Sequence, residues 1–284
     1  MTGFANMREY VAAQNEGRTR VCSFRKVPSQ ASTAGWWVDL SMAAGNPVPN
    51  YYASEPLVAA TLSGMRGILH GDAVAPASKH LTELMLTTPT AALAGAYKLL
   101  DYLVYYPFVD GDSTDTQTLD NSVTLPRYES GDGVQAILVA SAPTTGSGQF
   151  SFTYVDQNGN PQTSPTQFCA TASANIASLV TSQQATAAGG LPFLKLASGS
   201  TGIRSVTDIT YTVPAGGLTA LVLVKPIATI QIFEINTPVE QTYVASVPGA
   251  PRIYDGAYLN LIMNCTTTVA AGILAGRANF AWST

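Results

Sequence analysis

Charge is what this chain has least of. Lys, Arg, Asp and Glu make up 11% of its 284 residues, where an average soluble domain carries about 25%. Spread over the roughly 11,600 Å² of surface that scaling assigns to this mass, that is one charge per about 360 Å². Such a surface repels its neighbours weakly, and the net charge of −4 adds little to that repulsion. It is the surface of a chain to be covered by other chains. Five lysines and a sequence pI of 5.1 exclude a global attraction to nucleic-acid phosphates. The three cysteines, Cys22, Cys169 and Cys265, are an odd set without CxxC spacing, which argues for buried thiols rather than a disulfide framework or a zinc knuckle. Long apolar runs are missing too: 91–108 is broken by Lys98 and Asp101, and 217–235 by Lys225 and Pro226, so neither reads as a membrane span. Residues 1–10 hold Arg8 and Glu9 and no secretory signal, so synthesis in a cytosol is expected.

Catalytic signatures are equally scarce. No G-x-S-x-G elbow, Walker loop or helix-opening G-x-G-x-x-G occurs, and Gly131-Asp132-Gly133 leads into a strand instead. His70 and His80 lie ten apart without a nearby ligand set, and Glu234 and Glu240 are isolated acids. No catalytic or cofactor-binding residue is therefore assigned, no cofactor is expected, and the chain reads as a non-enzyme.

What is present is a polarised first half. Residues 1–26 sum to +3, 27–100 to −1, 101–132 to −6 and the remainder to zero. From Val27 to Pro56 the chain is dense in Pro, Gly, Ser, Ala and Asn, with Trp36, Trp37, Tyr51 and Tyr52 among them. Large aromatics bury area only when docked, so residues 1–56 are expected to form an extended arm lying on a surface, its own or a neighbour's. Arg8, Arg18, Arg20 and Arg25, with Trp36 and Trp37, are its candidate assembly residues. Their candidate acceptor is the acidic loop of Asp110, Asp112, Asp115 and Asp120, since arginine pairs bidentately with carboxylates. Asp110, Asp112 and Asp115 are also candidate oxygen ligands for a hard cation such as calcium, although their spacing departs from the EF-hand loop. Side chains that cap local backbone are the simpler reading of that loop.

The spacing of Leu93, Tyr97, Leu100 and Val104 predicts a helix over 90–105, and a shorter one is expected over 79–86. After Gly131 the texture turns to β. Nine short strands are expected, over 134–140, 149–156, 193–197, 206–213, 218–224, 229–235, 241–247, 257–263 and 270–275, with a hairpin at Gln157-Asn158-Gly159-Asn160. Residues 172–189 read as either a helix or a long loop. The fold class is mainly β: a β-sandwich or jelly-roll-like domain at 133–284, an arm at 1–56, and a mixed segment with one or two short helices at 57–132.

Three stretches carry a resemblance: Gly35-Trp36-Trp37-Val38-Asp39-Leu40-Ser41, Gly45-Asn46-Pro47-Val48-Pro49-Asn50-Tyr51-Tyr52 and Tyr105-Tyr106-Pro107-Phe108-Val109-Asp110-Gly111-Asp112. With the SFTYVDQNGNPQTSP hairpin in an Ala/Thr/Gly-rich β half, they resemble tailed-bacteriophage virion proteins in texture. That resemblance implies many copies in an icosahedral head or an appendage, synthesis in the host cytoplasm, and no catalytic residues. The major-shell pattern of a long spine helix and a charged extended loop is missing, which leaves a capsid decoration or minor capsid protein. Its partners would then be copies of itself and other virion proteins, with no membrane or direct nucleic-acid partner. A tail or fibre protein that presents Tyr243, Tyr254 and Tyr258 to a host receptor or glycan is the alternative, and an enzyme a remote one.

Overall fold

The computed structural model describes residues 4, 6–169, 174–181, 191–244, 250–269 and 271–283. Nine strands of six residues or more carry it: β1 (Thr19–Val27), β2 (Lys79–Thr87), β3 (Gly95–Asp110), β4 (Gln135–Ala140), β5 (Gln149–Asp156), β6 (Ile203–Val213), β7 (Leu218–Gln231), β8 (Leu259–Cys265) and β9 (Leu274–Trp282). The protein is mainly β, in three antiparallel sheets. The first runs Val239–Thr242, β2, β9, β1, Ala44–Asn46. The middle one runs Trp37–Asp39, β8, β3, β7, β4. The third runs Pro161–Thr163, β5, β6, Gln117–Thr118.

Sequence texture follows layer position. In β5 burial alternates, with Phe150, Phe152, Tyr154 and Asp156 inward, as expected of a strand with one wet face. In the middle sheet it does not: Leu99–Pro107, Ala136–Ala140 and Thr219–Val224 are buried without a break. Ile137, Val139, Ala220 and Val222 join a core shared with Phe24, Leu84 and Phe280 of the first sheet. Ala136, Leu138, Leu221 and Leu223 join a core shared with Phe152, Tyr154 and Ile209 of the third. The middle sheet also closes on itself. Ala177 and Leu179 bond to the backbone of the Trp37–Asp39 strand, while Ala177 and Val180 bond to β4, so one short segment bridges both edges.

Two helix expectations are corrected here. The 90–105 helix is the long strand β3, preceded by a single 3-10 turn at Ala91–Leu93, and the 79–86 helix is β2. β3 is buried on both faces over Leu99–Pro107, so helical spacings occur in it by default, whereas β2 alternates buried Thr82, Leu84 and Leu86 with half-buried Glu83, Met85 and Thr87. The α-helix of the described chain is instead Met7–Asn15, whose cap residue Asn6 accepts the Glu9 N–H at 3.1 Å. The expected strands at 218–224 and 229–235 are one strand, β7, that ends at Gln231; 193–197 is not a strand. The hairpin lies where the Asn-Gly pair sets it, joining β5 to Pro161–Thr163 with Gly159 at φ +86°. Of the expected 241–247 strand, Val239–Thr242 is paired and 245–249 lie outside the described residues; of 172–189, only 174–181 are described. Within the expected arm, Thr19–Lys26 of β1 pair with β9 and Trp37–Asp39 pair with β8, so these parts of it are built into their own chain's sheets.

Candidate functional site

Folding divides the candidate arm residues. Trp36 and Trp37 are buried in this chain's two cores. Arg18 is held by Glu16, Nε to Oε2 at 2.8 Å, and by the Trp282 carbonyl at 2.6 Å. Arg20 lies beside Asp72, with Nη2 to Oδ2 at 3.9 Å, and Arg8 and Arg25 are exposed. None of these arginines forms an ion pair with the acidic loop among the described residues. The loop is tied locally instead: Asp110 accepts the Asp112 N–H at 2.9 Å, and Ser113 Oγ accepts that of Asp115 at 3.2 Å. Gln117 clamps Asp110 by donating to its carbonyl and accepting its N–H, both at 2.8 Å. The backbone of Asp120 bonds to Leu57 and Ala59. No group of three or more His, Cys, Asp or Glu placed to hold a metal ion occurs among the described residues, the Asp110, Asp112 and Asp115 set included.

Sequence reading passed over the most heavily bonded polar groups. Asp39, fully buried, accepts the Ser41 N–H (2.8 Å) and the hydroxyls of Ser41 (2.7 Å), Tyr102 (2.7 Å) and Tyr52. Burial pushes its carboxyl pKa up, and these four donors pull against that shift. The Tyr102 carbonyl in turn accepts from Arg127 Nη2 at 2.9 Å. Arg127 forks onto Asp101, Nε to Oδ2 at 2.9 Å and Nη2 to Oδ1 at 2.7 Å, and Asp101 also takes the Tyr258 N–H. The network fastens the 39–52 stretch and the loop carrying Arg127 to β3 and β8. It is closed to solvent, so its chemistry is structural. The one signal available was a lone charge inside an apolar run, as at Asp101.

One cleft opens beside β1. It has a volume of about 780 Å³ and is lined by Arg20, Cys22, Leu69, His70 and Asp72. His70 donates from Nε2 to the Ala257 carbonyl at 3.0 Å, which leaves Nδ1 to accept from Lys79 Nζ at 3.1 Å. Lys79 also donates to the Asp72 carbonyl at 2.7 Å and faces Asp255 Oδ1 at 3.4 Å. Burial, helped by Lys79, lowers the His70 pKa, and burial raises that of the Cys22 thiol. With both ring nitrogens engaged and the thiol protonated, the cleft pairs no nucleophile with a free base. The tyrosines expected on a receptor-binding face are placed elsewhere. Tyr243 and Tyr258 are buried, and Tyr254 packs edge-on against Tyr128 at 4.8 Å under Arg252.

No protein-family model matches this chain, and no curated protein matches it. Solved structures that align with it include that of infectious bursal disease virus Gt strain, over 94% of this chain and 82% of the other at 9% identity and TM-score 0.17. The infectious bursal disease virus VP2 subviral particle aligns over 93% and 80%, at 10% identity and TM-score 0.16. Virus-derived T=1 particles align over 93% and 77%, also at 10% and 0.16. Scores at this level establish neither a shared fold nor a shared function.

Proposed function

We propose that this chain is a virion structural protein, a capsid decoration or minor capsid protein of the tailed-phage kind, which stabilises a head through contacts between subunits and has no catalytic role. The observation that carries this reading is the sparseness of charge on the folded surface. Six of the 32 charged side chains, Lys26, Asp39, Lys79, Asp101, Arg127 and Asp156, are buried. The remaining 26 share 11,656 Å², or one per about 450 Å², sparser than composition alone implies. Large apolar side chains stand out on that surface, Phe233 at 74% exposure and Leu191, Tyr51, Val21, Val48 and Leu69 above half. Permanent interfaces are large and depleted of charge, and a surface of this kind suits them. The partners are copies of the chain and other capsid proteins, and the location is the virion. No helix among the described residues is long and apolar enough to cross a membrane.

Sedimentation with empty heads tests the reading. The chain is expected to pellet with heads and to raise their melting midpoint. An unchanged midpoint on saturated heads would overturn the stabilising role, and binding of the isolated chain to host cells instead would favour a tail or fibre protein.

A further inference from the structure

The first sheet has an open edge. β1 is paired with β9 from Thr19 to Lys26, but on its other side Ala44–Asn46 covers only Arg25–Val27. The Trp282 N–H donates to the Arg18 carbonyl at 3.2 Å, so the Arg18 carbonyl points at β9. By alternation the backbone groups of Arg20, Cys22 and Phe24 point at β9, while those of Thr19, Val21 and Ser23 point away from it. Among the described residues nothing bonds to these outward groups. Proteins usually blunt such an edge with a proline, a lysine or a bulge. Residues 19–23 contain neither proline nor lysine, and the β1–β9 register runs without a shift. Val21, 59% exposed, and Ser23 face solvent, while Arg20 and Cys22 line the cleft on the other face.

We infer that this edge is a self-pairing joint: two copies align residues 19–23 antiparallel about a two-fold axis at Val21, merging their first sheets into one. The inference rests on the assembly reading above and names one of its contacts. Its occupant, a second copy, follows from self-complementarity. With Val21 on the axis, the pairs are Thr19 with the partner's Ser23, Val21 with the partner's Val21, and Ser23 with the partner's Thr19. All three use outward-facing groups, so each is a hydrogen-bonded pair and six new backbone bonds form. A one-residue slip would oppose outward groups to inward ones. The apolar Val21 side chains meet at the axis. Arg20 stands opposite the partner's Cys22, so like charges are not opposed. The length fits as well. On one side Asn46 ends its pairing at Arg25 and the following Pro47 has no N–H to extend it. On the other, the Arg18 N–H returns to the Ala13 carbonyl at 2.8 Å, turning the chain out of the strand before it would reach the partner's Asn46.

Cysteine cross-linking reads the register. In a Cys22→Ser background, Val21→Cys places its two sulfur-bearing residues about 5.5 Å apart at Cα, within disulfide reach. Ser23→Cys places them four residues apart along the pair, about 14 Å, beyond reach. Mild oxidation of the full chain is expected to give at least tenfold more covalent dimer from Val21→Cys than from Ser23→Cys. Val21→Pro removes an N–H that no intrachain bond uses, so it should keep the wild-type circular dichroism while weakening self-association at least tenfold by sedimentation velocity. Equal cross-linking from both cysteine variants, or undiminished association of a folded Val21→Pro chain, overturns the joint and leaves the assembly reading standing. A wild-type chain that stays monomeric and leaves heads unbound overturns both.

Discussion

Arg127 grips Asp101 with two parallel hydrogen bonds, at 2.9 and 2.7 Å, in a place where Asp101 has no exposed surface. The fork joins a loop to the middle of β3, the longest strand, and the same Nη2 that donates to Asp101 also donates to the carbonyls of Leu62 and Tyr102. A buried charge stripped of its partner is costly. Arg127→Met is therefore expected to lower unfolding free energy by about 3–5 kcal/mol. Adding Asp101→Asn should recover part of that loss, giving a coupling of about 0.5–3 kcal/mol in a double-mutant cycle by urea unfolding. Strict additivity would contradict the pairing.

Tyr52 and Tyr102 both donate to Asp39, through different oxygens. Each Tyr→Phe change removes a hydrogen bond to a buried carboxyl and should cost about 1.5–3 kcal/mol, the range for bonds to charged groups. Because both act on one carboxyl, the double variant should lose less than the sum. Guanidinium melts of the four proteins check this.

His70 and His80 are buried, and burial lowers both pKa values from the ordinary 6.5; Lys79 adds to the effect at His70, and Arg252 at His80. Below about pH 6.5 the unfolded chain therefore takes up protons that the folded chain refuses. Their contribution to stability is fully present above about pH 6.5 and is lost as pH falls toward the lowered folded values. The wild-type chain should lose stability between pH 7.5 and 5, and a His70→Gln, His80→Gln double variant should show a shallower slope over the same interval. Equal slopes in denaturant titrations would remove this account.

Phe24 lies directly opposite Gly276 across the β1–β9 pair, its ring occupying the space that a Cβ on Gly276 would need. Valine is normally favoured in strands, but here Gly276→Val must displace a buried ring. Thermal unfolding should show a loss of about 1–3 kcal/mol, the cost of overpacking a core.

Phe233 is the most exposed large apolar side chain among the described residues, at 74%. Phe233→Asp should leave the isolated chain's stability within about 0.5 kcal/mol of wild type while weakening its binding to heads. A variant that binds undiminished would show that this side chain is not part of a covered face.

The sequence by itself determined the β character, the β5 hairpin and the deficit of charge, because each is written in neighbouring residues: alternation in 149–156, the Asn-Gly pair at 158–159, and a composition that no folding can enrich in charge. It did not determine which strands are covered on both faces. In β3 that double cover, supplied by side chains of the first and third sheets, erased the alternation that marks a strand and left helical spacings in its place. Nor did it determine where the lone charges go. Arg127 meets Asp101, Asp39 meets Tyr102, and the arm arginines part from the acidic loop only once the sheets have formed, since ion pairs and hydrogen bonds are set by distances that only the tertiary structure decides.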